Sequence, residues 1–414
     1  MAALLNPRLA ELGEYPFPRL EALIAGVTPA TNEPALRMSL GEPQHPPPAL
    51  LAETLAANAH LLNRYPPNAG TPEFRAAVAD WLARRYRLPP GSIGGLIDVE
   101  RGVLPVAGTR EALYMVSQLV VDPDAKRPPA VLLPNPYYQP YSGGGRIAGA
   151  EPVYLSATRA TGFLPDLDAI PRALLERTAL FFMCSPANPH GAVASLYYWK
   201  RAICLAREHG FVLACDECYS EIYTGAPPPG AIEAAAETGA LDNLLFFNSL
   251  SKRSSVPGLR AGFVAGDPTL VQGFLRLRSF GNAGMPLPTQ AAAAALYRDE
   301  AHVVENRAAY QRKFAEAERL LGGRHGYYTP AGGFFLWLEV GDGEAVARTL
   351  WREAGVLVLP GGYLAKPDAD GANPGERYVR IALVHDFETT RAGLARIGRV
   401  LDRAPGTVDD ARVA

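Results

Sequence analysis

Cysteine is scarce in this chain, with four in 414 residues. Two of them, Cys215 and Cys218, stand in a C-x-x-C spacing of the kind metal and redox sites use. A structural zinc ion would need two further ligands, and the two residues inside the pair, Asp216 and Glu217, are of more interest than the sulfurs. Cys184 and Cys215 each follow an apolar run, so both read as small buried residues at strand ends. Charge of one sign is also missing. Lys and Arg number 40 against 42 Asp and Glu, a formal net charge of −2. No basic excess predicts a nucleic-acid partner, and no block of like charges reads as a tail. No uncharged apolar stretch reaches the roughly 18 residues of a membrane span. The first residues lack a basic start followed by an apolar core and a cleavage site, so no signal peptide is expected and a cytoplasmic location is. Internal repeats are absent too, and the biased stretches, such as Pro46 to Pro48 and Gly143 to Gly145, are too short for interdomain linkers.

What is present is the composition of an ordinary globular protein, 48% hydrophobic and 20% charged, long enough for two or more domains. Gly70-Thr71-Pro72-Glu73 opens a helix, with Thr71 as N-cap and Pro72 in the first turn. Phe74, Val78, Trp81 and Leu82 then share one face. Short apolar runs follow at Val103-Leu104, Val131 to Leu133, Val153 to Leu155, Ala179 to Met183, Phe211 to Ala214, Leu244 to Phe247 and Gly262 to Ala265. Runs of this kind suit strands covered on both faces. Their alternation with helices predicts an α/β domain with a mostly parallel sheet. Beyond residue 290 the pattern changes: a long helix from Gln290 to about Leu321, strand-like Gly333 to Val340, a helix near Glu344 to Ala354 and strand-like Tyr378 to Leu383. We expect a large domain over residues 45–290. Residues 1–44 and 291–414 are expected to form a smaller α+β domain.

Ligands of α/β domains bind beyond the carboxyl ends of the strands. The polar residues that follow the apolar runs are Gly108-Thr109-Arg110, Tyr137-Tyr138, Asn188, Asp216 with Tyr219, and Ser249 with Lys252. The segment Ser249-Leu250-Ser251-Lys252, followed by Pro257-Gly258-Leu259-Arg260-Ala261-Gly262, resembles the lysine region of the fold-type I pyridoxal-phosphate (PLP) aminotransferases, class I/II. So do Asn188-Pro189-His190-Gly191, Asp216 with Tyr219, and Arg380. The intervals match as well: 28 residues from Asn188 to Asp216, 36 to Lys252, 8 to Arg260 and 120 to Arg380. The resemblance implies a fold-type I PLP transferase with a mostly parallel seven-stranded sheet, flanked by helices, and a smaller α+β domain.

It also implies a role for each residue. Lys252 is expected as the Schiff-base lysine and general base, its pKa lowered in a partly buried cationic site. Asp216 is expected to face the cofactor's pyridine nitrogen and keep it protonated. Tyr219 and Asn188 are expected at the ring's phenolic oxygen. Gly108, Thr109 and Arg110 open a helix whose N–H groups can receive a phosphate, with Ser249 and Arg260 completing the cradle. Tyr138 is expected to stack on the ring, with Tyr137 as the competing neighbour. Arg380 would hold the substrate α-carboxylate, and Gly41 lies in a loop that resembles one closing over the substrate. Tyr65 resembles a tyrosine that reaches the phosphate of the other subunit, which predicts a homodimer with shared active sites.

The strings around Lys252, Asp216 and Arg380, with Tyr15-Pro16-Phe17 near the start, look like those of the proteobacterial succinyldiaminopimelate aminotransferases. That implies amino transfer between N-succinyl-LL-diaminopimelate and 2-oxoglutarate, in lysine and diaminopimelate biosynthesis. Ser255, Ala261, His190 and Gly362 depart from the pattern. Aspartate, alanine, aromatic and kynurenine aminotransferases share the scaffold, as do cysteine-conjugate β-lyases. A PLP-binding regulatory module is the remote alternative; it calls for an N-terminal helix-turn-helix and a basic patch, and only about forty residues precede the enzyme-like region. No metal is expected.

Overall fold

The computed structural model describes residues 4–281 and 284–403. Every one of the seven apolar runs forms a strand. In chain order they are β1 (Val103–Val106), β2 (Ala130–Asn135), β3 (Glu151–Ser156), β4 (Thr178–Cys184), β5 (Val212–Asp216), β6 (Leu244–Ser249) and β7 (Gly262–Gly266). They make one sheet in the order β1-β7-β6-β5-β4-β2-β3. All pairs are parallel except those of β7, which runs antiparallel to β1 and β6. Alternate residues of each strand enter opposite cores. Leu213, Phe246 and Phe263 face one core with Trp81 and Trp199, while Ala214, Phe247 and Val264 face the other with Leu113 and Phe274. Burial on both faces accounts for the unbroken apolar runs.

Helix α1 (Pro72–Arg85) starts as its sequence predicts, the Thr71 hydroxyl accepting the Phe74 N–H at 3.2 Å. Phe74, Val78, Trp81 and Leu82 are all buried. Helix α2 (Thr109–Val120) follows β1, and α3 (Gln139–Ala148) follows β2. A single turn, α4 (Leu250–Arg253), follows β6.

The one long helix expected from Gln290 to Leu321 is instead two, α5 (Leu287–Arg298) and α6 (Ala301–Leu321). Asp299 leaves the helical conformation at φ −88°, ψ 126°, and its carboxylate accepts the His302 N–H at 3.2 Å. That is the capping behaviour of a short acidic side chain. The buried Arg253 guanidinium fixes the break by donating to the Leu296 carbonyl at 2.7 Å and the Asp299 carbonyl at 3.2 Å. The signal for the break is a tertiary contact, which helical periodicity does not carry. Helix α5 crosses the 290/291 boundary, and its Ala293, Ala294, Leu296 and Tyr297 lie in the core with Trp81.

A second sheet joins β8 (Phe335–Glu339), β9 (Leu359–Pro360) and β10 (Tyr378–Ala382), antiparallel, with β10 in the middle. Leu336, Leu338, Val379 and Ile381 pack there against Tyr310 and Phe314 of α6, and against Leu394 and Ile397 of α7 (Phe387–Leu401). The N-terminal segment stays out of the large sheet, but Leu36–Arg37 pairs in parallel with Val356–Leu357. Its next residues are laced to β10, with the Ala382 N–H donating to the Met38 carbonyl at 2.7 Å. Among the described residues no helix is long and apolar enough to cross a membrane.

Candidate active site

The antiparallel turn from β6 to β7 builds the centre of the site. Ser249 pairs with Gly262, so the chain between them must fold back across the carboxyl edge of the sheet. That stretch carries Lys252 and Arg260. Its neighbour β5 ends on Asp216, and β4 ends on Cys184, shortly before Asn188. Thr109 and Arg110 arrive at the same edge from the start of α2. The opposing wall comes from chain-distant pieces: Gly41 from the N-terminal segment, Phe335 from β8 and Arg380 from β10. Together these residues surround a cleft of about 550 Å³, a size usual for small-molecule sites.

Of the residues expected from sequence, Gly41, Thr109, Arg110, Tyr138, Asn188, Asp216, Tyr219, Ser249, Lys252, Arg260 and Arg380 line this cleft. Gly108 lies directly beneath Arg260. A Cβ at Gly108 would stand 2.0 Å from Arg260 Nη2 and displace that guanidinium, and its φ of +84° is one L side chains avoid, so the backbone there favours glycine. Tyr65 is the exception. It is 99% exposed and lies outside the cleft of its own chain.

Lys252 Nζ donates to the Gly41 carbonyl at 2.7 Å. Burial lowers its pKa to about 8, and the Arg380 charge acts in the same direction. A substantial share of neutral amine near pH 8 is what a nucleophilic lysine needs. Gly41 leaves no room for a side chain, since a Cβ would meet Phe335 Cζ at 2.6 Å.

Asp216 is buried, and each carboxylate oxygen accepts one hydrogen bond. Tyr141 O–H donates to Oδ2 at 2.6 Å, and the Cys218 N–H donates to Oδ1 at 3.1 Å. Burial raises its pKa all the same, against both hydrogen bonds. A buried carboxylate in that condition favours a cationic or N–H partner inside the cleft. Tyr141 is a site residue that the sequence does not mark. It lies one helical turn beyond Tyr138 and stacks on Phe182 of β4 with centroids 4.4 Å apart. Nothing in its local string singles it out, because its role comes from Asp216, 75 positions downstream.

Arg380 is buried, with Nη1 donating to Asn188 Oδ1 at 2.9 Å and Nη2 to the Ser39 carbonyl at 2.7 Å. Its guanidinium lies 4.3 Å from the centroid of the Phe335 ring. Burial lowers its pKa to about 10, so it remains a cation at neutral pH. Its Nε has no partner among the described residues. A buried, incompletely satisfied cation at a cleft wall is prepared for an anion. At the other end, the first amides of α2 are not consumed by helical bonding. Arg260 stands over them, held by the Pro257 carbonyl at 2.8 Å, and the Ser249 hydroxyl bonds Ser251 Oγ at 2.9 Å. Ser251 also lines the cleft, and sequence reasoning passes it over.

Tyr138 and Tyr137 part company. Tyr138 faces the cleft and accepts from Arg110 Nε at 2.8 Å, while Tyr137 turns away to pack edge-on against Tyr154. Tyr219 packs edge-on against Phe334, and the Lys252 amine lies 6.0 Å from its ring centroid. His190 does not line the cleft. Its ring stacks on Phe163 at 5.2 Å, and burial holds its pKa at about 3, so it is a neutral packing group behind Asn188. Cys215 and Cys218 are unpaired and buried, and Cys218 Sγ lies 3.2 Å from Thr109 Oγ1. Among the described residues no cluster of three or more His, Cys, Asp or Glu is arranged for a metal ion.

The donor set fits PLP at both ends: a cradle of free amides and Arg260 for a dianion, and a buried carboxylate for a protonated ring nitrogen. Comparison with known proteins agrees. The profile of the family "Aminotransferase class I and II" matches residues 33–397. An LL-diaminopimelate aminotransferase of Moorella thermoacetica is 33% identical over 96% of this chain and 98% of its own. The 4-dedimethylamino-4-oxo-anhydrotetracycline transaminase OxyQ of Streptomyces rimosus is 32% identical over 94% and 100%. Among solved structures, an aminotransferase from Neisseria meningitidis superposes with a TM-score of 0.89 at 43% identity, covering 95% of this chain and 99% of that one.

Proposed function

The chain belongs to the class I and II aminotransferases, a PLP-dependent family, and on that premise we propose that it transfers the amino group of a diaminopimelate-type donor, N-succinyl-LL-2,6-diaminopimelate, to 2-oxoglutarate. The observation that carries amino-acid transamination is Arg380, a buried cation at the wall of the same cleft as a lysine of lowered pKa. The succinylated donor is supported by the likeness of the strings around Lys252, Asp216 and Arg380 to those of succinyldiaminopimelate aminotransferases.

When bound, PLP supplies a carbonyl that captures amines and a ring that withdraws electrons. Asp216 would hold the ring nitrogen, with Tyr141 orienting its carboxylate. The start of α2, Ser249 and Arg260 would hold the phosphate, Tyr138 would pack on the ring, and Tyr219 and Asn188 would hydrogen-bond its oxygen. Arg380 grips the substrate α-carboxylate, and Asn188 and Ser39 fix the guanidinium's angle. That contact orients the Cα–H bond. Lys252 Nζ then takes the α-proton and returns it, acting as general base and general acid in turn. Gly41 closes the mouth of the cleft, where Phe17, Leu40 and Leu364 offer an apolar wall to the donor's methylene chain.

A second reading, LL-diaminopimelate itself as donor, is favoured by the activity named for the Moorella relative and by Glu42 at the cleft, a carboxylate suited to a free distal ammonium. A half-reaction titration separates the two. The PLP form is mixed with single amino donors, and the loss of its visible absorbance is followed. Conversion by the succinylated donor and by glutamate, with aspartate, alanine and aromatic donors inert, supports the first reading. Conversion by the unsuccinylated donor alone replaces it with the second.

A further inference from the structure

Behind the turn that carries Lys252 lies a buried polar chain that the reaction as described does not use. It starts at Lys313 of α6, only 1% exposed. Lys313 Nζ has three acceptors around it: the Leu383 carbonyl at 2.9 Å, His45 Nε2 at 2.7 Å and the His385 carbonyl. An ammonium has three N–H donors, so each acceptor receives one. His45 Nδ1 faces Asn306 Oδ1 at 2.9 Å. Asn306 Nδ2 in turn donates to the Lys252 carbonyl at 3.1 Å and the Arg253 carbonyl at 3.2 Å.

The far end of the chain fixes its direction. Two carbonyls can be served only by the amide nitrogen of Asn306, so its oxygen must be the group facing His45. An oxygen there requires a proton on His45 Nδ1, which leaves Nε2 to accept from Lys313. Burial, and then the Lys313 charge, hold the His45 pKa below its usual value, in keeping with a neutral ring.

We propose that Lys313, His45 and Asn306 form a one-directional hydrogen-bond relay that positions the backbone of Lys252, with His45 as its joint. The inference rests on the reading of Lys252 as the reactive lysine. The relay joins three pieces of the cleft that are remote in sequence. Leu383 and His385 follow directly on β10, which bears Arg380. His45 ends the segment that bears Gly41, and its carbonyl accepts from Ser255 Oγ at 3.1 Å. Asn306 holds the Lys252 turn itself. These residues are positioning residues, since none of them lines the cleft. Beside the relay is a separate cavity of about 480 Å³, which Glu305, Arg312 and Asp386 also line. Charged groups from α6 and from the start of α7 therefore face the chain. The relay needs Lys313 as the ammonium; burial lowers its pKa to about 7, so the three-donor arrangement is the one that holds below that pH.

The test uses the PLP-loaded enzyme and two substitutions at His45. His45→Gln keeps one donor and one acceptor; His45→Phe keeps the ring's bulk and neither. The relay predicts that His45→Phe lowers kcat about tenfold or more, as misplacement of a reacting group does, with KM changed little. It also predicts a shift in the pH midpoint of the bound cofactor's visible absorbance, and return of both quantities toward wild type in His45→Gln. A purely structural role would lower Tm in both variants and leave that midpoint in place. Nitrogen NMR of the histidines in the wild-type holoenzyme serves as a second measurement that needs no variant. The relay requires His45 protonated at Nδ1 and bare at Nε2 near neutral pH. An Nε2–H ring, or a His45→Phe enzyme with wild-type kcat and midpoint, overturns it. If Lys252→Ala keeps the wild-type chromophore and activity, the reading of the active site has failed instead.

Discussion

The two walls of the cleft are built on different principles. The inner wall is the edge of the seven-stranded sheet, where Asp216, Ser249 and Lys252 end or follow strands whose every residue is buried. Their geometry is inherited from a core that already has to form. Only part of the outer wall has such a scaffold: β10, which bears Arg380, is buried throughout and central in the second sheet, whereas the N-terminal segment that bears Gly41 has none. This wall is assembled from residues near 15–17 and 39–45, from β8 and from β10, tied together by single contacts such as Arg380 to Ser39 and Lys252 to Gly41. On the roles proposed above, cofactor chemistry would sit on the inner wall, and substrate choice on the wall that long-range hydrogen bonds tie to it. Changes to the inner wall should abolish the reaction for every donor. Changes to the outer wall should redistribute donors.

The largest effect is expected from Lys252→Ala. It should remove the bound chromophore and lower turnover by several orders of magnitude for all donors alike, as loss of a covalent and acid–base group does. The same residue gives a pH signature in the cofactor-free protein. Burial sets its folded pKa at about 8, below the roughly 10.4 of an unfolded lysine. Between those values the unfolded state binds more protons, so wild-type stability should rise with pH relative to Lys252→Ala. Urea unfolding of both apoproteins across that window measures it, and parallel curves would show that the amine is not buried in solution.

Arg380 tests the outer wall at intermediate size. Arg380→Lys keeps a cation but not the two-pronged grip on Asn188 and Ser39. The expected result is a rise of about 10- to 100-fold in KM for amino donors, with the chromophore retained. Arg380→Leu also leaves two buried acceptors unpaired, at a stability cost of about 1–3 kcal/mol. If Arg380→Lys lost the cofactor rather than the donor, the division between the walls would be wrong.

The same division governs what is legible in the sequence. The inner wall is a series of strand ends, and each strand announces itself by an apolar run, so Asn188, Asp216, Ser249 and Lys252 can be located from the amino-acid order alone. Tyr141 escapes such reading because its partner, Asp216, is 75 positions away. The break between α5 and α6 escapes for a similar reason. Periodicity reads continuously through Asp299, and only Arg253, reaching across from the Lys252 turn, reveals why the chain stops there. Arg380 is locatable by motif and interval, but Asn188 and Ser39 as its anchors are not. The relay through His45 lies entirely in long-range contacts and leaves no local trace.

Tyr65 is the smallest expected effect and the sharpest test of completeness. Within one chain it touches nothing that would stabilise the fold, being 99% exposed. Tyr65→Phe should therefore leave the Tm of the cofactor-free monomer unchanged, as surface substitutions of about 0.5 kcal/mol or less do. If a second copy brings its own cradle of Gly108, Thr109 and Arg260 against this tyrosine, the missing hydroxyl removes one charge-assisted bond to a phosphate. Such a bond contributes roughly 1.5–3 kcal/mol, so the Kd for PLP should rise about tenfold or more while kcat at saturating cofactor holds. Equilibrium dialysis of PLP against wild type and Tyr65→Phe measures this directly. An unchanged Kd would make the cleft complete within a single chain, and the contrast between its walls would then end at the edge of one molecule. A raised Kd would add a third wall, contributed by the partner.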